Sequence, residues 1–327
     1  MAAQLPVPQP ATPANPLWRP TAEQAKAANL TAFHRYVVER WQIGLAGYRE
    51  LHEWSVAQPN QFWTSVWDFC GAIGDWDHQA AVTDYDRMPG ARWFPGARLN
   101  FAENLLRRRD DRPALISWNE QGRRQSVTFA ELAQRVARCA ETLRRLGVRP
   151  GDRVAGYLPN LPETVVAMLA TTSLGGIWSS SSPDFGVQGV VDRFGQIGPK
   201  LLVTADGYLY AGKRFDSLSP VRELCRQVDS IDRVVVVPYL DERPKLEGLP
   251  GALAWQDLLS GGDGGPTACE RFDFDQPLSI LGVVQIKESQ GNSFRRPAWA
   301  ASGRNQRSGR YFRQEVLAEL QREVLPC

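Results

Sequence analysis

Apolar and polar residues alternate along the middle of the chain with two distinct periods. Phe129, Leu132, Val136, Ala140, Leu143 and Leu146 recur at three- and four-residue steps, the spacing that places side chains on one helix face. Thr128 and Glu131 stand at its start as a T-x-x-E capping box, in which each side chain satisfies the other's free backbone N–H. Gly147 supplies a left-handed stop, and Pro150-Gly151-Asp152 turns the chain into a strand over residues 153–158. The pattern then predicts a helix over 162–174, a strand over 176–179 and a helix over 187–196. A buried strand over 201–205, a helix over 219–228 and a strand over 231–237 follow. Strands alternating with helices predict an α/β fold of parallel β/α units, with helices covering the sheet.

The flanks read differently. Up to about Asn119 the chain is rich in loops and helices, with helices predicted over 30–41 and 59–69. Trp18, Trp41, Trp54, Trp63, Trp67, Trp76, Trp93 and Trp118 lie there and are expected to pack across a larger domain. Beyond Leu281 the apolar period breaks off. Only residues 311–325 read as helical there, with Phe312, Val316, Leu320 and Val324 on one side. The expected organisation is a flexible leader (1–20), an N-terminal segment (21–119), an incomplete α/β domain (120–281) and a divergent basic tail (282–327).

Composition narrows the class. Of 327 residues, 43% are hydrophobic and 23% charged, which excludes a disordered, collagen-like or disulfide-scaffold chain. The formal net charge of +2 is too balanced for a nucleic-acid or anionic-membrane footprint. It is the sum of +4 in the tail, from eight Lys/Arg and four Glu, and −2 in the rest. Cys70, Cys139, Cys225, Cys269 and Cys327 are odd in number and form no C-x-x-C pair, so a reducing cytoplasm fits better than disulfides or zinc. His34, His52 and His78 are isolated, as structural or exposed histidines usually are. The uncharged run 164–183 is interrupted by Thr, Ser and Gly and reads as a helix, a strand and a loop rather than a membrane span.

Most nucleotide and catalytic motifs are missing. No G-x-G-x-x-G follows a strand, which argues against a dinucleotide oxidoreductase, and no P-loop, G-x-S-x-G elbow or H-E-x-x-H occurs. Gly261-Gly262-Asp263-Gly264-Gly265 holds an acidic residue and no following lysine, so it reads as a surface loop. The serines at 179–182 stand where α/β sheets offer hydroxyls to ligands; the alternative is a loop with Ser182 or Asp184 capping the next helix.

Longer motifs point to a family. Trp93-Phe94-Pro95-Gly96-Ala97-Arg98-Leu99-Asn100-Phe101-Ala102-Glu103-Asn104 resembles the entry motif of the acetyl-CoA synthetase branch of the adenylate-forming enzymes. Trp178 to Gly186, continuing through Val190-Val191-Asp192-Arg193-Phe194, narrows the resemblance to the acetoacetate–CoA ligases. Trp54-Ser55-Val56, Phe62-Trp63 and Trp67-Asp68-Phe69 fit the same group, and the resemblance runs from about residue 17 to 281.

This resemblance implies part of an adenylate-forming large domain. The implied reaction uses ATP, Mg²⁺ and coenzyme A. Acetoacetate carboxylate attacks the α-phosphate of ATP, giving an acyl-adenylate and pyrophosphate, and the CoA thiol then displaces AMP. The implied partners are these small molecules, with no nucleic acid and no membrane. In the branch, the segment resembling Val203-Thr204-Ala205-Asp206 is followed by a basic pair touching the phosphorylated end of CoA. Here that place reads Tyr210-Ala211-Gly212-Lys213. Ala211, Gly212 and Lys213 are therefore the candidate CoA contact, with Tyr210 where the first basic residue would stand; the other reading is an exposed lysine in a turn. No catalytic or metal-binding residue is assigned.

The resemblance then departs. A segment like Phe274 to Leu281 leads, in the family, into a Ser/Thr/Gly-rich phosphate loop ending in Pro-Lys, whereas this chain continues Gly282-Val283-Val284-Gln285-Ile286-Lys287. The motifs for adenine and ribose, the acyl pocket and the C-terminal domain with its catalytic lysine are not among the residues that follow. The expectation is a frameshifted or truncated ligase, inactive by itself and a client of chaperones through unfinished sheet edges. The alternative is a non-catalytic α/β binding module. Translating the encoding DNA beyond Leu281 in all three frames tests the frameshift, which fails if no Ser/Thr/Gly-rich continuation emerges.

Overall fold

Continuous apolar runs in the strands require cover on both faces of a sheet, and this requirement sets the architecture of the larger part of the molecule. The computed structural model describes residues 18–260 and 269–281. Within them the chain forms two compact units, residues 18–70 and 71–281.

The first unit holds α1 (Ala22–Ala27), α2 (Asn29–Trp41), α3 (Tyr48–Ala57) and α4 (Pro59–Phe69). Thr21 and Gln24 close a capping box at α1, and Pro59 opens α4 where its missing N–H has no helical partner to lose. Phe33, Val37, Leu51 and Val66 are buried together. The ring of Phe33 meets those of Phe62 and Phe69 edge-on, with centroids 5.9 and 5.2 Å apart. Trp41 Nε1 donates to Ser65 Oγ at 2.8 Å. These aromatics thus form a core of the unit's own. Trp18 departs from the expected burial and is 72% exposed.

The second unit runs through β1 (Gly74–Asp75), β2 (Val82–Thr83), β3 (Arg92–Trp93), β4 (Arg98–Leu99), α5 (Phe101–Leu105), β5 (Pro113–Asn119), β6 (Gly122–Thr128) and α6 (Phe129–Arg145). It continues with β7 (Arg153–Tyr157), α7 (Pro162–Ser173), β8 (Ile177–Ser181), α8 (Val187–Ile197), β9 (Leu201–Ala205), β10 (Gly207–Tyr210) and β11 (Lys213–Asp216). α9 (Leu218–Gln227), β12 (Arg233–Val237), β13 (Leu253–Ala254), α10 (Trp255–Leu259) and β14 (Phe272–Asp273) complete it.

Five strands form one sheet in the order β13-β12-β9-β7-β8, every neighbour parallel. Successive residues of β9 and β12 face opposite ways. Leu201, Val203, Val235 and Val237 join the cluster that includes Leu143 of α6 and Val166 of α7. Leu202, Val234 and Val236 join Phe194 of α8 with Val221 and Leu224 of α9. The α/β expectation is met. The predicted capping box is also in place, with Thr128 N donating to Glu131 Oε2 at 2.9 Å and Glu131 N to Thr128 Oγ1 at 3.1 Å.

Three expectations need correction. β8 does not end at Ser179 but extends to Ser181, because Ser181 pairs with Tyr157 of β7. On its other side Trp178 N donates to Leu278 O at 3.1 Å, and Ile280 N donates to Trp178 O at 2.9 Å. Neither Ser182 nor Asp184 caps α8; Gly186 is the N-cap and makes no side-chain bond. Trp118 on β5 is 67% exposed rather than packed.

Residues near 270–280 return to the start of the unit. β14 pairs with β4, Arg271 bonds Glu103 and Asp75, and Asn100 Nδ2 donates to Glu270 O at 2.8 Å. Gln276 Nε2 donates to Gly175 O at 2.9 Å, while the Phe272 ring occupies the space a side chain at Gly175 would need. The predicted leader up to residue 17, the glycine-rich stretch 261–265 and the tail 282–327 lie outside the described residues. Among the described residues no helix is long and apolar enough to cross a membrane.

Candidate functional site

The predicted residues sit at the tip of an antiparallel hairpin. β10 and β11 pair from Gly207↔Asp216 to Tyr210↔Lys213, leaving Ala211 and Gly212 as a two-residue turn. Both turn residues have positive φ, +50° and +73°, the combination a primed hairpin turn demands. Glycine accepts it freely, but alanine does so only under strain, since its Cβ crowds the backbone there. Tyr210, Ala211, Gly212 and Lys213 are all exposed.

An acidic side chain from far along the sequence holds the turn. Glu120, at the tip of the β5–β6 hairpin, accepts from Ala211 N at 2.6 Å and from Gly212 N at 2.7 Å, one bond to each carboxylate oxygen. Two adjacent N–H groups converging on one anion make a backbone nest, a cradle for negative charge. Beside it, Lys213 makes no ion pair among the described residues, whereas Arg214 is engaged by Asp241 at 2.6 Å and by Leu240 O at 3.0 Å. The Tyr208 and Phe215 rings stack across the hairpin, with centroids 5.1 Å apart and planes 13° apart.

The hairpin grows from a buried polar anchor. Asp206, just after β9, accepts from the backbone N–H groups of Tyr239, Leu240 and Asp241 at 2.7–3.1 Å. Ser217 N returns to Asp206 O at 3.1 Å, closing the base of the hairpin. Leu240 and Phe215 O approach Gly207 so closely that a Cβ there would lie 2.3 Å from each. Asn119 Nδ2 donates to Tyr239 Oη at 3.1 Å and joins the same loop to the β5–β6 hairpin. On the far side Asp216 accepts from Leu218 N and Ser219 N at the start of α9. Burial raises the Asp216 carboxyl, and the bonds from Ser219 and Leu218 outweigh it, leaving the group below its ordinary value.

Sequence reasoning found the turn but missed two of its supports. Asp206 stood inside a motif already singled out, where a polar residue ending an apolar strand was the signal. Glu120 carried none, because its partners lie 91 and 92 residues away.

The serine run occupies the carboxyl end of β8, beside β7 of the sheet. Ser179 Oγ donates to Ile280 O at 2.8 Å, and Ser181 Oγ is buried without a partner among the described residues. Nearby Tyr157, its phenol pushed up to about 12 by burial, shares its hydroxyl with Pro183 O and Phe185 O. At the opposite end of the strands an open cleft of about 320 Å³ is lined by Lys200, Asp232 and Arg233. Lys200 there is committed to Gly147 O at 2.7 Å and Asp152 at 3.2 Å. No group of three or more His, Cys, Asp or Glu side chains gathers as a metal site among the described residues.

Comparisons with known proteins agree on one family. A family model described as AMP-binding enzyme matches residues 101–279, and one for the acetyl-coenzyme A synthetase N-terminus matches residues 48–105. The acetoacetyl-coenzyme A synthetase of Rhizobium meliloti is 45% identical over 267 residues, covering 81% of this chain and 41% of the relative. The acetoacetyl-CoA synthetase of Xenopus tropicalis is 38% identical over 277 residues, covering 81% of this chain and 40% of the relative. Among solved structures, acetoacetyl-CoA synthetase from Streptomyces lividans superposes with a TM-score of 0.74 at 42% identity, covering 82% of this chain and 41% of that one. The chain thus spans about 40% of the length of the relatives it matches.

Proposed function

The chain belongs to the AMP-binding enzyme family, and from that premise we propose that it carries the coenzyme A-contacting part of an acetoacetate–CoA ligase. The whole enzyme's reaction on this reading converts acetoacetate, ATP and CoA to acetoacetyl-CoA, AMP and pyrophosphate through an acyl-adenylate. Lys213 supplies a fixed positive charge to the phosphorylated end of CoA, and the Ala211–Gly212 turn sets the direction in which that side chain leaves the hairpin. The observation that carries the reading is the exposed Lys213 ammonium, with no ion pair among the described residues, following a turn with two left-handed residues. The long identity with acetoacetyl-CoA synthetases supports the acid substrate.

Nothing in these 327 residues resembles the Ser/Thr/Gly-rich phosphate loop, so we expect no acetoacetate-dependent ATP–pyrophosphate exchange from this chain by itself. Measurable exchange overturns that part. A cytoplasmic setting and chaperone association accompany the proposal. For the CoA contact, calorimetric titration with CoA and dephospho-CoA decides: Lys213→Ala is expected to weaken CoA about three- to tenfold and to leave dephospho-CoA unchanged. Equal binding of CoA by both chains removes Lys213 from the site.

A further inference from the structure

The turn that carries the candidate ligand contact is already occupied by an anion from the protein itself. We infer that the Ala211–Gly212 turn is a phosphate cradle held shut by Glu120, so that a phosphomonoester enters by displacing the Glu120 carboxylate. Both cradle N–H groups are used, and each goes to a different oxygen of one carboxylate, at 2.6 and 2.7 Å. A phosphate dianion presents a similar pair of oxygens and one more charge, so it competes for the same two donors.

Three further features suit displacement rather than a fixed structural tie. Glu120 is exposed at a hairpin tip, outside both apolar clusters of the sheet. Its bonds therefore lie in water, where exchanging one anion for another leaves no buried group unsatisfied. Ala211 keeps φ at +50°, so the cradle's form persists in a residue that ordinarily avoids it. Finally, Lys213 stands beside the cradle with no ion pair among the described residues, whereas its neighbour Arg214 is neutralised by Asp241. A charge set for an incoming anion thus adjoins donors that an internal anion fills. Glu120 sets the threshold for binding, and Lys213 adds to the attraction once the carboxylate swings away. The identity of the ligand as CoA rests on the reading proposed above; the cradle and its occupant do not.

The test follows the amide resonances of Ala211 and Gly212 in the full 327-residue chain during titration with inorganic phosphate, CoA and dephospho-CoA. In Glu120→Gln, phosphate and CoA are expected to bind about three- to tenfold more tightly than in the unaltered chain, moving both resonances, because a charged competitor has gone. Dephospho-CoA is expected to bind both chains alike. Glu120→Asp, which keeps the charge but retracts it by one methylene, is expected to fall between them and separates access to the cradle from net charge. Unchanged or weaker binding by Glu120→Gln, or two resonances that stay still, overturns the inference. If phosphate moves both resonances in Glu120→Gln but CoA does not, the cradle stands and the coenzyme reading falls. If CoA binds through Lys213 and ignores Glu120, the coenzyme reading stands and the cradle falls. No shift with any ligand overturns both.

Discussion

In the parallel sheet, Leu202, Val234 and Val236 are wholly buried and pack against two helices of the same α/β run. In the β10–β11 hairpin, the four residues from Tyr210 to Lys213 are exposed and are placed by two carboxylates, Asp206 at the base and Glu120 at the tip. The sheet is stabilised by removing apolar area from water, which is additive and indifferent to direction. The hairpin depends on a few directional bonds, buried at Asp206 and exposed to water at Glu120. The exposed tip thus rests on few contacts, while the sheet supplies a rigid base for it.

The comparison predicts a graded set of effects. Phe194→Ala empties a fully buried position between α8 and the sheet and should cost about 3–5 kcal/mol in chemical denaturation. A cost under about 1 kcal/mol would mean that the helix is not docked as described. Asp206→Ala leaves three backbone N–H groups without their acceptor and should cost about 1–3 kcal/mol, with weaker CoA binding as the loop and hairpin separate. Unaltered binding would show that the hairpin holds its shape without its base.

Asp216→Asn should cost about 0.3–1 kcal/mol at neutral pH, since it removes the negative charge that accepts from the first turn of α9. Its carboxyl lies below the ordinary value near 3.8 in the folded chain, so its contribution is present above that value. It disappears as pH falls through the lower folded value. Denaturation should therefore separate the two chains at neutral pH and bring them together as pH falls through the lower folded value, and a gap that persists in acid excludes the capping charge as the cause. Smallest of all, Tyr210→Lys should change stability by no more than about 0.5 kcal/mol, because Tyr210 is 67% exposed, while strengthening CoA binding. A large loss of stability there would make the hairpin tip a structural element instead of a surface.

The same division governs what the residues reveal in advance. The run from β7 to β12 is legible because its central strands are apolar, α8 and α9 have a clean period, and Pro162 and Gly198 punctuate it. The end of β8 escapes that logic. Serines have no preference for strands, and Ser181 is extended only because Tyr157 lies opposite. The β10–β11 hairpin is equally obscure, being short, exposed and turned by Ala-Gly instead of the usual Asn-Gly. Lys213 is a candidate only through the family resemblance, whereas the acid that bonds its neighbours is 91 and 92 residues away along the chain and meets them only because two hairpins come together.

The return of residues 270–280 to the start of the second unit sets a timetable for biosynthesis. Glu103, Asn100 and Asp75 wait for partners 168, 170 and 196 residues further along the chain. At a translation rate of roughly 5–20 residues per second, those partners leave the ribosome about 10–40 s later. β8 and Gly175, made later, wait about 100 residues for the segment that borders the strand and for the Phe272 ring. The contacts that close the second unit therefore become available only after every strand of the five-stranded sheet has been made.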